Sequence, residues 1–321
     1  MKWFGLTAKG VLGMNARNAH YISRLNPRSH YPLVDDKLRT KRLAERAGIA
    51  VPPLYGVIRE NHELSAIRSR LAGYADFVVK PAHGSGGNGI LVVGERSGER
   101  LVKSSGQEIT FEDLEYHISN VLSGMYSLGG HPDAAMIEYR VAFDPLFEDI
   151  AYRGVPDIRT LVFRGVPVMA MVRLPTRASD GRANLHQGAV GAGIDLASGR
   201  TTGAVYRNGI VTRHPDTDHE LAELQIPNWV RLLDLAARCH DLTSLGYLGV
   251  DVVLDRDLGP LILELNARPG LNIQLANRSG LRRRLDAVEA LGSRHDAPEQ
   301  RVEWSCRMFG DPQTELLAHK P

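Results

Sequence analysis

Hydrophobic and polar positions along the chain switch repeatedly between a helical and a strand period. From residue 35 the run DDKLRTKRLAERAGIAVPP sets Leu38, Leu43 and Ala47 on a partial apolar stripe, with Gly48 as a stop and Pro52-Pro53 preventing continuation. That spacing predicts a short helix. Residues 54–58 then read as a strand, 62–71 as a second helix, 111–122 as a third and 135–139 as a strand. Strand patterning returns at 158–163, 167–173 and 204–206, a helix is expected around 229–239, and 249–254 with 261–265 resemble a hairpin. The first thirty residues have weak periodicity, and the polar stretch from Gly292 onward is expected to be a loose tail, with a closing lid as the alternative.

Between two short β-type runs, 77–80 and 90–93, lies Gly84-Ser-Gly86-Gly-Asn-Gly89, a letter-for-letter match to the dinucleotide fingerprint G-x-G-x-x-G. That fingerprint requires the glycines to lead from a strand into a helix whose N-terminus faces the pyrophosphate. Here Ile-Leu-Val-Val-Gly follows Gly89, which is a strand, so the confirming context is missing. No Gly-Lys-Ser/Thr closes a Walker loop, and neither the HRD nor the DFG triplet of protein kinases occurs. What remains is a strand–glycine loop–strand hairpin. Its backbone amides can close over phosphate, with Lys80 projecting from the first strand and Ser85 as a further hydrogen-bond donor. A structural hairpin with a surface lysine is the plain alternative.

The second informative stretch is GVDVVLDRDLGPLILELNARPG. If residues 256–259 form the turn, Asp255 pairs with Pro260, and Asp251 lies directly across from Glu264. Asn266, two residues on, faces the same side. Like charges at ~4 Å cost about 4 kcal/mol at a near-surface dielectric before screening. A hard divalent cation would offset that cost, and an all-oxygen set suits magnesium rather than zinc. Two solvent-facing acids on an exposed strand are the competing reading.

Composition narrows the field. Hydrophobic residues make up 43% and charged residues 24%, as in ordinary globular proteins. A formal net charge of +2 gives no argument for nucleic acid, and the run Leu281-Arg-Arg-Arg-Leu285 reads as a solvated helix face. Cys239 and Cys306 have neither disulfide-framework nor zinc spacing. With no signal-peptide core and no apolar run near ~20 residues, the expected location is cytoplasmic, without membrane contact.

Taken in order, DDKLRTK, VVKPAHGSGGNGI, IEY, PDIR, RANLHQG and ELNARPG resemble the motifs of the ATP-grasp superfamily, most nearly the RimK-like glutamate ligases. The resemblance covers about residues 35–280 and implies an α+β ATP-grasp fold, two lobes with Mg-ATP bound between them. The family's N-terminal α/β domain is expected to be largely missing. The implied organisation is an extension at 1–34, an N-terminal lobe at 35–139, a C-terminal lobe at 140–291 and the tail at 292–321.

Carried over residue by residue, Lys37 and Lys80 resemble the two phosphate-binding lysines, with Gly84, Ser85, Gly86, Gly87 and Gly89 covering ATP. Glu138 and Tyr139 sit at the position that meets adenine, and Asp157 resembles a nucleotide-contacting acid. Arg182 and Asn184 match basic and amide positions beside phosphate and acyl substrate, while Arg159 and Arg173 are candidate clamps for an acyl phosphate. Asp251, Glu264 and Asn266 match the ligands of magnesium, for which manganese could substitute. Arg268 stands where the glutamate ligases have a small residue.

The implied activity is ATP-dependent carboxylate–amine ligation through an acyl phosphate, adding glutamate or a similar amino acid to a small molecule or peptide. A ligase for a different amino acid, or a non-catalytic Mg-ATP sensor or assembly subunit, is the competing reading. ATP and the carboxylate and amine substrates are the expected partners, with a homo-oligomer able to supply missing substrate walls.

Overall fold

A computed structural model of the chain describes residue 5 and residues 8–84, 86–127, 129–292 and 296–310. It divides into two compact units: Asp35–Lys41 with Val51–Val141, and Met1–Val34 with Arg42–Ala50 and Ala142–Pro321. Each contains an antiparallel sheet with helices, the α+β organisation expected.

The smaller unit is built on six strands: β1 (Leu54–Ile58), β2 (Phe77–Pro81), β3 (Leu91–Ser97), β4 (Arg100–Lys103), β5 (Glu108–Ile109) and β6 (Ala135–Glu138). Their spatial order is β1-β6-β2-β3-β4-β5. The runs flanking the glycines pair as a hairpin, Phe77 with Val93 and Val79 with Leu91. Helix α1 (Lys37–Arg46) begins in this unit, and α2 (Phe111–Leu122) packs on β2 and β6. The start of α2 is fixed by a capping box in which Thr110 and Asp113 satisfy each other's backbone N–H. Phe77, Val79, Ile118 and Ile137 are fully buried in the resulting core.

One expectation changes in α1. Leu43 is only half-buried and Ala47 is exposed, whereas Leu38, Lys41 and Ala44 are buried. The helix is therefore rotated so that Leu38 joins Ala82 and Met136, and a lysine takes the next inward position.

The larger unit carries seven strands: β7 (Asp157–Phe163), β8 (Val166–Leu174), β9 (Val190–Ile194), β10 (Thr201–Tyr206), β11 (Gly209–Val211), β12 (Tyr247–Asp255) and β13 (Gly259–Asn266). They are ordered β11-β10-β9-β8-β7-β12-β13. Every residue of central β8 is buried, as its almost unbroken apolar run VPVMAMVRL requires. Helix α3 (Trp229–Thr243) packs on β7, β8, β12 and β13, and α4 (Arg282–Ala290) on β8.

Two terminal segments differ from expectation. Residues 14–25 form a helical run with a π-helical stretch at Arg17–Ile22, and Tyr21 and Ile22 enter the core beside Phe163 and Tyr247. After Gly292 a helix, α5 (Pro298–Phe309), replaces the expected loose tail among the described residues. Polar contacts hold it: Arg301 pairs with Asp241, and Ser305 Oγ donates to the Pro167 carbonyl. Apolar contacts add to these: Val302 is buried, and Trp304 and Phe309 pack against the core of the larger unit. Among the described residues no helix is long and apolar enough to cross a membrane.

Candidate functional site

The residues singled out above fall into two groups, one on each unit. In the smaller unit Val78 of β2 lies opposite Glu138 of β6, and Lys80 opposite Met136. Paired residues share a face, so Lys80 reaches diagonally to the Glu138 carboxylate and ion-pairs with it. Lys41 of α1 meets the other oxygen of the same carboxylate at 2.9 Å and also donates to the Pro52 carbonyl. All three side chains are buried.

Glu138 is thus the centre of a Lys41–Glu138–Lys80 triad rather than simply a backbone position. The amide of Tyr139 is already committed to the Pro53 carbonyl at 2.9 Å. Lys41 lies outside the residues to which the sequence motifs point. Its signal was there: it follows Leu38 by one helical turn, so a lysine stands on the inward face of α1.

Lys37, at the first position of α1, holds the base of the glycine loop. Its amide donates to the Ala82 carbonyl at 3.0 Å and its ammonium to the Gly84 carbonyl at 2.5 Å. Across the loop base, Asp133 accepts from the His83 amide at 2.9 Å and meets His83 Nδ1 at 2.7 Å. Gly86, Gly87 and Gly89 all have positive φ, and Gly84 bridges to Ser127. Ser85 lies outside the described residues.

In the larger unit the predicted opposition is present: Asp251 pairs with Glu264, and Gly249 with Asn266. The route differs from the expectation. Asp255 pairs with Gly259 rather than Pro260, because Asp255 Oδ1 accepts from the Asp257 and Leu258 amides and tightens the turn. A bulge then inserts Leu263, moving the partner of Val252 to Ile262, and restores the Asp251–Glu264 register.

Asp251 also faces Arg159 across β7, so Arg159, Asp251 and Glu264 form a straight row over three strands. Arg159 grips Asp251 with two hydrogen bonds, Nε to Oδ1 at 2.6 Å and a terminal nitrogen to Oδ2 at 2.5 Å. Arg173 grips Asp157 the same way and reaches Asp251 Oδ2 at 2.8 Å. The repulsion between Asp251 and Glu264 is therefore offset within the chain by two guanidinium groups. The plain reading of exposed acids and surface ion pairs does not hold, since Asp157, Arg173 and Asp251 are buried.

Burial alone would push both aspartates up. For Asp251 the charges of Arg159 and Arg173 overcome it and hold the carboxyl down at about 2. Asp157 has only Arg173 as a direct partner and lies near the Asp251 charge; there burial prevails and the carboxyl is pushed up to about 6.

The other predicted residues are structurally engaged or peripheral. Asn184 caps a 3-10 turn, Leu185–Gln187, accepting from the His186 amide at 3.0 Å, and Arg182 is exposed in the same loop. Asn266 Oδ1 accepts from the Arg268 amide at 2.8 Å, and the Arg268 guanidinium lies 4.9 Å from the ring centre of Tyr31.

The donor chemistry of Asp251, Glu264 and Asn266 fits a hard cation, with Glu264 only partly buried. Both oxygens of Asp251 are bonded to arginines, so Glu264 and Asn266 are the more accessible ligands. No group of three or more His, Cys, Asp or Glu side chains arranged to hold a metal occurs among the described residues.

Known proteins were then compared with the chain. It is 28% identical over 236 residues to the ribosomal protein bS6–L-glutamate ligase of Salmonella paratyphi B, an alignment covering 74% of this chain. The chain spans only 56% of that relative's length. Among solved structures it is similar to the D-cycloserine synthetase DcsG, with 17% identity, 87% of this chain and 73% of that one covered, and a TM-score of 0.47. It is also similar to the ATP-grasp ligase PsnB complexed with a minimal precursor, with 16% identity, coverage of 84% and 63%, and a TM-score of 0.45. The assignment rests on the family model: residues 16–290 match the one described as sugar-transfer associated ATP-grasp, and the chain belongs to that family.

Proposed function

We propose that the protein is an ATP-dependent carboxylate–amine ligase, adding glutamate or a similar amino acid to its acceptor. The observation that supports this best is the register that sets Asp251 across from Glu264 beside the buried guanidinium of Arg173 and the partly buried one of Arg159. A purely structural ion pair needs no third acid in line; a site that meets phosphate through a cation does.

In this reading, Lys41 and Lys80 supply positive charge to phosphate oxygens, and Lys37 fixes the base of a glycine loop whose amides can close over them. Magnesium, held by Glu264 and Asn266 with Asp251 behind them, would neutralise phosphate charge when bound. The γ-phosphoryl group passes to a substrate carboxylate: a P–O bond to the carboxylate forms, the bond to the β-phosphate oxygen breaks, and ADP leaves. The amine then attacks the acyl carbon, loses a proton and expels phosphate, leaving an amide. Arg159 and Arg173 are suited to the negative charge that develops on the acyl group. The 28% identity to an L-glutamate ligase supports the choice of amino acid.

The test is ADP release with Mg-ATP, pooled amino acids and a small-molecule extract, with products read by mass spectrometry beside Lys80→Ala. Acceptor-dependent ADP with a new amide, lost in the variant, is the expected result. Tight nucleotide binding with no acceptor-dependent turnover would replace the ligase by a Mg-ATP sensor.

A further inference from the structure

The glycine loop of the smaller unit is held at its two ends and open in its middle. At the near end the Lys37 ammonium donates to the Gly84 carbonyl, and Gly84 bridges to Ser127. A Cβ at Gly84 would lie 2.3 Å from the Pro81 ring, so the chain there is pressed against the end of β2. In the middle, Gly86, Gly87 and Asn88 are exposed, and a Cβ at Gly86 would meet nothing within 4 Å. The far end is held by two residues outside the charged clusters. His117 Nε2 lies 3.0 Å from the Gly89 carbonyl oxygen, and the Tyr126 ring fills the space into which a Gly89 Cβ would project, 2.5 Å from that position.

His117 is itself firmly placed. It stands on α2 beside Leu114, Ile118 and Val121, which are fully buried in the core of the unit. The capping box at Thr110 fixes the first turn of that helix. The imidazole is half-buried, and its centre lies 5.6 Å from that of the Tyr126 ring. A helix packed on β2 and β6 thereby restrains a loop that leaves β2, across 28 residues of sequence.

The contact also fixes the chemistry of the ring. A carbonyl only accepts, so Nε2 must carry the hydrogen. Burial is the largest influence on the imidazole and moves its pKa down, against the Gly89 contact, which moves it up. The neutral ring with its hydrogen on Nε2 is the form that satisfies both.

The loop needs a second restraint of this kind. Gly86, Gly87 and Gly89 all have positive φ, and glycine loses more conformational freedom on ordering than any other residue. Fixed at Gly84 alone, such a segment would spread over many shapes. Affinity for any ligand of the ordered shape would fall by the fraction of molecules that hold it.

We propose that His117 is a positioning residue of the glycine loop: its Nε2–H holds the Gly89 carbonyl and keeps the loop in the shape whose amides can close over phosphate. It touches no reacting atom. The phosphate role rests on the ligase reading above, whereas the hydrogen-bonded latch does not.

The experiment compares wild type with His117→Ala, His117→Gln and Tyr116→Ala. Glutamine returns an amide donor at about the reach of Nε2. Tyr116, the exposed neighbour on α2, controls for a general change in the helix. Mg-ATP affinity, measured calorimetrically, should fall about three- to tenfold in His117→Ala, the scale of one hydrogen bond. It should recover to within about twofold of wild type in His117→Gln and stay unchanged in Tyr116→Ala. A histidine that merely filled space would instead make glutamine behave as alanine does. Nitrogen NMR of the wild-type ring without nucleotide should place the hydrogen on Nε2. Equal affinity in wild type and His117→Ala, no recovery with glutamine, or a ring with its hydrogen on Nδ1 alone overturns the assignment. A wild type that binds no Mg-ATP removes the ligase reading and the phosphate role with it, and the ring spectrum then decides whether the latch exists.

Discussion

The two charged clusters solve the same problem, buried ions on an antiparallel sheet, in opposite ways. In the smaller unit one carboxylate is shared by two lysines, Lys41 and Lys80, leaving an excess positive charge. In the larger unit two aspartates are gripped by two arginines, and Glu264 stands in register beside Asp251. Lysine is a compact charge that can exchange one oxygen partner for another, whereas arginine locks onto a carboxylate through a planar fork. In the proposed ligase, the first cluster would release a cation toward incoming phosphate oxygens. The second holds Asp251 ionised and in place across from Glu264. The difference in residue type, more than the count of charges, separates a half that yields from a half that holds.

The sharpest way to break this comparison is to remove the shared acid. Glu138→Gln leaves two buried ammonium groups without their counter-ion, and breaking a buried pair this way costs about 3–5 kcal/mol. The urea midpoint of the variant should fall accordingly, and Lys41→Met added to it should recover part of the loss. A Glu138→Gln protein within 1 kcal/mol of wild type would mean that Glu138 does not hold the lysines together. Next in size is Glu264→Ala. It removes the third acid of the other cluster and leaves the arginine forks intact, so the fold should persist. Acceptor-dependent ADP release should drop at least about 100-fold, the scale for losing one charge-stabilising group in a water-excluded site. Near-normal turnover would refute its role at the cation.

Much of this contrast could be read before any coordinates. The Asp251–Glu264 opposition followed from the alternation of β12 and β13, although the turn was placed one residue off and the bulge at Leu263 was hidden. A bulge changes register without changing composition, so two local differences cancelled at the site. Lys80 and the glycine hairpin were legible because glycines between β-branched runs have few other uses. Lys41 is hidden in the sequence because the apolar spacing runs through Leu43 and Ala47, whereas the helix turns Leu38, Lys41 and Ala44 inward. The partners of Asp251 were out of reach for a different reason. Arg159 and Arg173 meet it across 92 and 78 residues of sequence, and local pattern contains no term for such pairings.

The aspartates can sharpen the comparison through pH. Asp251 is held at about 2, below an ordinary value near 4, so its contribution to stability is present above about pH 4 and lost as the pH falls toward 2. Asp157 is raised to about 6, so the folded state binds its proton more tightly, and that contribution is lost as the pH rises from about 4 through 6. Each limb amounts to about 2–3 kcal/mol. Asp251→Asn should remove the acid-side rise, and Asp157→Asn should flatten the decline between pH 4 and 6, both read from urea midpoints across pH. Identical pH profiles in the two variants would mean that the aspartates do not divide their roles as their partners indicate.

The smallest effect tests whether the yielding half also depends on a pre-shaped loop. Gly86 and Gly89 both have positive φ, +63° and +76°, but their surroundings differ. A Cβ at Gly89 would lie 2.5 Å from the Tyr126 ring, so Gly89→Ala combines backbone strain with a clash. At Gly86 there is nothing within 4 Å, and Gly86→Ala isolates the backbone term, about 1–2 kcal/mol for an L-residue in the left-handed region. If the free loop of Gly86→Ala relaxes away from this conformation and must regain it on phosphate, that cost should appear as a roughly five- to thirtyfold loss of Mg-ATP affinity. The Lys41–Glu138–Lys80 triad, and with it the urea midpoint, should hardly change. An unchanged ATP affinity would separate the loop from the triad and leave the lysines to bind phosphate on their own.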